Sequence, residues 1–283
     1  MKPFLLTLFA LTAFALNSIL CRMALRTDEI DAASFTAVRI ASGALALWVL
    51  VLIFRKKQGS VKNGRFVSAF LLFSYAVCFS FAYIGLSAGT GALILFGSVQ
   101  LTMIGIALFK GERPSLVEWS GLIAALGGLV YLTLPGSTSP PLTSSLLMAA
   151  AGAAWGLYTL RGRSVKDPLT LTAGNFVLAV PFAVVVAFLF FSRLHLSVTG
   201  VVLAVLSGAI ASGIGYTVWY AALKYHTSTR AALLQLAVPV IAAGGGIMLL
   251  NEKPDHRLGI ASALILGGIA MAIAGRSKHD GSR

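Results

Sequence analysis

The stretch GERPSLVEWSGLIAALGGLVYL, residues 111–132, is written a second time as NEKPDHRLGIASALILGGIAMA, residues 251–272. Glu112/Glu252, Pro114/Pro254, Leu126/Leu266 and Gly127-Gly128/Gly267-Gly268 stay in register at a separation of 140 residues. The same offset aligns GALILFGSVQ (91–100) with AALLQLAVPV (231–240), and Phe79 with Trp219. Each copy opens on an acidic-basic-proline turn and then runs apolar without the alternation of a strand, so the repeated unit ends in a hydrophobic helix.

The rest of the chain has the same character. Of 283 residues, 58% are hydrophobic and 11% charged, with a mean hydropathy of +0.89. Soluble domains are roughly half apolar and a quarter charged, so this chain has too little polar surface for water. Ten apolar runs, at about 4–20, 34–54, 66–84, 90–109, 117–134, 144–161, 170–190, 199–221, 231–250 and 258–275, are separated by short breaks. Each matches the helix length, roughly 20 residues, that crosses a hydrocarbon core. Backbone in lipid must be hydrogen-bonded within a helix or a closed barrel, and continuous apolarity selects the helix. The fold class expected is an all-α membrane protein, with no room for a soluble catalytic domain. Lys2, the apolar run and Ala13-Phe14-Ala15 resemble parts of a signal peptide, but the run continues to Leu20, and a retained first helix is expected.

The repeated stretch opens segments 5 and 10, so the repeating unit holds five helices. An odd number reverses the direction of the second copy. The sequence therefore predicts ten transmembrane helices in two inverted five-helix repeats, residues 1–138 and 139–283. Charge orients them: with the N-terminus inside, 16 of the 22 Lys and Arg fall on the cytoplasmic side and 5 on the other, while Arg39 lies within segment 2. By the positive-inside rule this is a multi-pass inner-membrane protein with both termini cytoplasmic. The net charge of +13 is accounted for in this way, and no nucleic acid partner is expected.

Antiparallel repeats can exchange conformations so that a midplane site opens to one side and then the other, which makes transport the expected function. All nine acidic residues lie in loops or at helix ends. That argues against a proton-coupled pump and against a pocket for hydrophobic cations, which commonly need a membrane-buried carboxylate. No Ser/His/Asp set, paired carboxylates or His cluster occupies the helices, so no enzyme is expected. Cys21 and Cys78 form no CxxC and read as packing residues, and neither metal nor cofactor is expected. The expected partners are a small-molecule substrate and the lipid bilayer, and a monomer suffices.

Candidate binding residues come from the segment interiors. Tyr75, Phe79 and Tyr83 recur at i, i+4 and i+8 on segment 3; Tyr216, Trp219 and Tyr220 share a face of segment 8; Trp155 and Tyr158 lie three apart on segment 6. Tyr and Trp join a broad apolar face to a polar handle, suiting a pocket for flat or apolar molecules, and equally suiting packing or an interfacial belt. Tyr83 and Tyr220, near segment ends, fit the belt. Arg39 either holds a substrate carboxylate or snorkels to the interface, and its place near a segment end favours snorkelling. Asn17, Ser98, Gln100, Asn175 and Gln235 need hydrogen-bond partners when buried; Asn17 and Gln235 would suit substrate amino or carboxyl groups. Ala204, Gly208 and Ser212, and the paired glycines of the repeat, read as sites of close helix approach. Pro181, and Pro239 with Gly244-Gly245-Gly246, are candidate hinges, Pro239 and Gly245 above all.

The chain resembles the drug/metabolite transporter superfamily, in its ten-helix EamA-type branch. The resemblance is carried by WGLYTLRGR (155–163), by VWYAALKYHTSTRAALLQLAVPVIAAGGGIMLLNEKP (218–254) and by its weaker echo FAYIGLSAGTGALILFGSVQLTMIGIALFKGERP (81–114). It implies a cavity lined by segments 1, 3, 4, 6, 8 and 9, near Asn17, Phe79, Tyr83, Trp155, Tyr158, Trp219 and Gln235. It also implies export of small metabolites, amino acids foremost, in the manner of bacterial aromatic amino acid exporters. Other amphipathic metabolites, nucleotide-linked sugars or a scaffold role are the alternatives. Two departures stand out: Phe14-Ala15 replaces a tryptophan-glycine pair, and Val99 stands where the second copy has Pro239.

Overall fold

The computed structural model describes residues 2–54, 65–109, 115–134, 139–162, 165, 167–226, 231, 234–253 and 255–280. Glu112, Pro114, Pro254 and ten of the orienting Lys and Arg lie outside these. The described chain is helical: α1 (Lys2–Arg26), α2 (Ala32–Phe54), α3 (Phe66–Tyr83), α4 (Ala88–Phe109), α5 (Leu116–Thr133), α6 (Leu142–Gly162), α7 (Pro168–Leu189), α8 (Val198–Leu223), α9 (Ala237–Leu250) and α10 (His256–Asp280). Eight of them have the length and apolarity of a membrane span. The remaining two are α6, diluted by Ser, Thr, Gly and Ala, and the 14-residue α9.

Local chemistry sets the helix ends. Ser115 and Glu118 form a reciprocal capping box at α5; the Asp31 carboxylate accepts from the Ala33 and Ser34 N–H groups at α2; Asp167 caps α7 ahead of Pro168. Asn251, at φ 51°, ends α9 in the left-handed conformation that asparagine tolerates better than most residues. Pro239 lies in the first turn of α9, just after a break at Leu236, so its missing N–H interrupts the helix there. Outward-facing Phe4, Phe54, Phe188, Val198 and Met248 are largely exposed, as lipid permits and water does not.

The packing obeys an exchange of the two repeats. Three pairs, α2 with α7, α4 with α9, and α5 with α10, join a helix to its own counterpart. The others come as images: α3 on α6 matches α8 on α1, α4 on α6 matches α9 on α1, and α3 on α7 matches α8 on α2. With five spans per unit, the molecule is two inverted five-helix repeats around a shared interior. The α5–α10 seam is set by glycine: a Cβ at Gly121 would overlap the Gly268 carbonyl, and one at Gly268 the Gly121 carbonyl. Gly128 also faces the seam, whereas Gly127 and Gly267 face open space. Only one member of each repeated glycine pair is thus a contact residue.

The central stretch of α8, Leu206–Ile214, is a π-helix. Its i→i+5 hydrogen bonds widen each turn relative to an α-helix, which brings residues five apart closer to one side, and Ser207 and Ser212 are both fully buried. At its middle a Cβ on Gly208 would overlap the Arg39 carbonyl and the Ser42 hydroxyl. Helices α2 and α8 therefore cross at backbone contact beside Arg39.

Candidate functional site

At the centre of the bundle, α1, α2, α3, α6 and α8 bring together a polar hub and a ring of aromatics. Arg39 does not snorkel: it is 2% exposed and points inward. The α2–α8 contact explains the difference, since it clamps the residue over the bundle interior, away from the membrane interface. Its Nε donates to Ser212 Oγ at 3.2 Å, and its Nη2 to the hydroxyls of Tyr75 at 2.8 Å and Tyr216 at 3.4 Å. The guanidinium also lies 4.7 Å from the Phe79 ring centre and 5.1 Å from that of Tyr75, within cation–π range. Asn17 closes the hub, donating to Tyr75 at 3.1 Å and accepting from Ser207 Oγ at 2.5 Å.

The aromatics interlock around that hub. Trp155 stands 4.5 Å from Tyr216, 5.0 Å from Tyr75 and 5.4 Å from Tyr158, and Phe14 packs 5.8 Å from both Tyr216 and Trp219 (ring centres). The cavity enclosed by Phe14, Asn17, Tyr75, Phe79, Trp155 and Tyr216, with Leu95 and Phe96 behind, has a volume of about 10 Å³. That is the room one water takes, against the hundreds of cubic ångströms of a ligand pocket. In this conformation the rings fill their own site.

The two ends of the bundle differ. At the end shared by the start of α1 and the end of α10, a cavity of about 230 Å³ lies between α4, α6, α8 and the chain leading into α9. Trp219 and Gln235 line it, with Tyr220, Thr159, Lys224 and His226. Trp219, packed on Phe14, separates this cavity from the central one. At the opposite end α1 is tied to the α3–α4 turn and to the end of α9. Arg22 donates to the carbonyls of Tyr83 and Ile84, both at 3.0 Å, and pairs with Glu252 at 3.5 Å. Glu252 accepts from the Ala88 N–H at 3.0 and 3.1 Å, capping α4, and Arg26 donates to the Leu250 carbonyl. Beneath this clasp Ile19, Ala88 and Leu250 form a small buried apolar cluster.

Of the residues singled out from the sequence, Asn17, Arg39, Phe79, Trp155 and Tyr216 converge on the hub, and Trp219 and Gln235 on the end cavity. Tyr158 stacks behind Trp155 and bonds to Asn175, whose carbonyl oxygen in turn accepts from the Arg65 N–H. Tyr83 is fully buried under the clasp, donating to the Ala88 carbonyl at 3.3 Å, and Tyr220 is 8% exposed, so neither belongs to an interfacial belt. Loop and helix ends cover both. Gly245 is a site of close approach, where a Cβ would overlap Ile19. Sequence reasoning left Phe14, Tyr75, Ser207 and Ser212 out of the site. Tyr75 had a signal in its i, i+4, i+8 series, but the π-helix that aligns the two serines has none.

Comparison with known proteins agrees with this architecture. The EamA-like transporter family profile matches residues 1–134 and again 142–274. An uncharacterized protein of Pseudomonas aeruginosa is 49% identical over 99% of both chains. A threonine/homoserine exporter of Salmonella typhimurium is 27% identical, covering 88% of this chain and 84% of its own, and a probable amino-acid metabolite efflux pump of Escherichia coli is 24% identical, covering 72% and 77%. A crystal structure at 23% identity shares the fold, with a TM-score of 0.67 over 94% of this chain and 95% of that one. Two copies of the family profile, laid over ten alternating helices, identify the chain as a multi-pass membrane transporter, not an enzyme, and a member of the EamA-like transporter family.

Proposed function

We propose that the protein exports small amphipathic metabolites, amino acids with apolar or aromatic side chains foremost, by alternating access across the inner membrane with both termini cytoplasmic. The observation that carries this reading is the central hub. Aromatic faces and a few polar groups from both repeats meet at mid-bundle, between a cavity at one end and a clasp at the other. The end cavity admits substrate past Trp219 and Gln235. Movement of the Phe14 and Trp155 rings then makes room against Asn17, Arg39, Phe79 and Tyr216, with Tyr158 and Tyr83 as a second layer. Flexing at Pro239 and Gly245 in α9 accompanies the exchange, and the repeats divide near residue 138. A single chain holds the whole site, so a monomer is sufficient. Relatives described as amino-acid exporters support the substrate class. A nucleotide-linked sugar would bring several phosphate charges to a site with one guanidinium.

The test is flux in liposomes containing the purified protein, with a panel of labelled amino acids and with or without a pH gradient. Counterflow of apolar and aromatic amino acids that does not depend on the gradient is expected. No flux for any member of the panel would remove the amino-acid reading, and strict gradient dependence would contradict a mechanism without a buried carboxylate.

A further inference from the structure

The charge and donor balance of the hub points further than its shape. Arg39 is a buried cation whose hydrogen bonds go only to the neutral oxygens of Ser212, Tyr75 and Tyr216. Its Nη1 is buried with no partner. The Arg22–Glu252 ion pair lies at the clasp, and no Asp or Glu is among the buried described residues around Arg39 to neutralise it. An unpaired buried charge is costly, and a bound counter-ion is the usual remedy. The Tyr75 oxygen lies within hydrogen-bond distance of Arg39 Nη2, Asn17 Nδ2 and, at 3.3 Å, the Tyr216 hydroxyl, three donors for two lone pairs. The Tyr75–Tyr216 hydroxyl pair at the wall of the central cavity therefore has one proton left to donate, polarised by the guanidinium. Gln100, 2% exposed and on the same face of α4 as Phe96, adds a second unpartnered donor in its Nε2. Donors are therefore in surplus. Among the described residues no Asp or Glu is buried, so for an ammonium group the hub offers no carboxylate.

We propose that the Arg39–Tyr75 pair is a receptor for one carboxylate and that the site selects apolar monocarboxylate anions, binding the acid end of its substrate and leaving any amine unrecognised. This refines, and rests on, the transport reading above. A monoanion cancels the buried charge of Arg39. A zwitterion brings an ammonium back beside that guanidinium, and a free amine adds a second cation.

Three probes sharing a phenylethyl group separate these cases on the purified full-length protein in nanodiscs: 3-phenylpropanoate, L-phenylalanine and 2-phenylethylamine, titrated by calorimetry at neutral pH. The acid is expected to bind best, about tenfold or more above the amine, as follows when a charge-assisted hydrogen bond replaces a like-charge contact. L-Phenylalanine is expected to bind no tighter than the acid. Arg39→Gln lowers affinity for the acid by about tenfold or more and leaves the amine no weaker than before. Tyr75→Phe, which keeps the ring, lowers acid affinity in the same direction and serves if the arginine variant does not fold. Failure of the acid to bind, an amine that matches it, a clear preference for L-phenylalanine, or acid binding untouched in both variants would overturn the proposal. Binding of the acid without flux in liposomes would instead sink transport and spare the receptor. Amino-acid flux indifferent to Arg39 and Tyr75 would do the reverse.

Discussion

Replacing Glu252 by Gln tests whether the clasp holds one end of the bundle shut. The substitution keeps an acceptor for the Ala88 N–H but removes the negative charge that pairs with Arg22 at 3.5 Å and faces the N-terminus of α4. A charge-assisted hydrogen bond exceeds a neutral one by about 1 kcal/mol, and the lost helix-dipole term adds roughly 0.3–1 kcal/mol. Both side chains keep some contact with solvent, at 16% and 12% exposure, which holds the sum to about 1–2 kcal/mol. That corresponds to a shift of roughly 5–30-fold in an equilibrium between closed and open ends. Ile19, buried directly beneath the clasp, is the place to read it. In a background carrying Cys21→Ala and Cys78→Ala, Ile19→Cys should react slowly with a membrane-impermeant maleimide in nanodiscs. Adding Glu252→Gln should raise the labelling rate by about 5–30-fold. A rate unchanged within twofold or so, in a protein with an undiminished unfolding temperature, would mean that the contacts of Arg22 and Arg26 with backbone carbonyls close that end without the ion pair.

The repeated glycines make a matched control. Gly128→Ala forces a methyl against Ile265 and Leu264 and should destabilise the protein by about 1–3 kcal/mol in thermal unfolding, whereas Gly127→Ala, with nothing near it, should be neutral or slightly stabilising. Ser207→Ala removes the hydroxyl donor to the Asn17 carbonyl and should lower stability by about 1 kcal/mol, measured by the same unfolding assay. Pro239→Ala combined with Gly245→Ala should slow liposome flux while leaving equilibrium binding of 3-phenylpropanoate unchanged. Equal turnover in that double variant would exclude α9 as a hinge.

Much of this molecule could be read along the chain because lipid imposes one rule on every segment. Runs of apolar residues long enough to span had to be helices, and a repeat of five had to invert. The repeated glycine pairs marked the α5–α10 seam, though only the crossing geometry decides that Gly128 and Gly268 touch while Gly127 and Gly267 do not. Depth and partnership were less legible. Counting from a segment end placed Arg39 and Tyr83 near the interface, but both are covered from the side, by α8 and by the turn into α4. Tyr75 was visible as one of three aromatics on a face. Its place beside Arg39, Asn17 and Tyr216 depends on helices 36, 58 and 141 residues away along the chain. Ser212 read as a small packing residue and Ser207 drew no reading, because an α-helix would point the two apart, and the π-helical winding that brings them together has no sequence signal.

The glycine seam between α5 and α10 also bears on how defects should distribute. A helix pair that the pseudo-two-fold axis maps onto itself keeps the same partners when the repeats trade shapes. The α5–α10 seam, with Gly121, Gly128 and Gly268 along it, can therefore serve as a stationary pivot while the two mouths take turns. Lesions at the pivot should lower the amount of folded carrier in the membrane equally for both orientations, whereas lesions at the clasp should bias which mouth stands open without depleting the carrier.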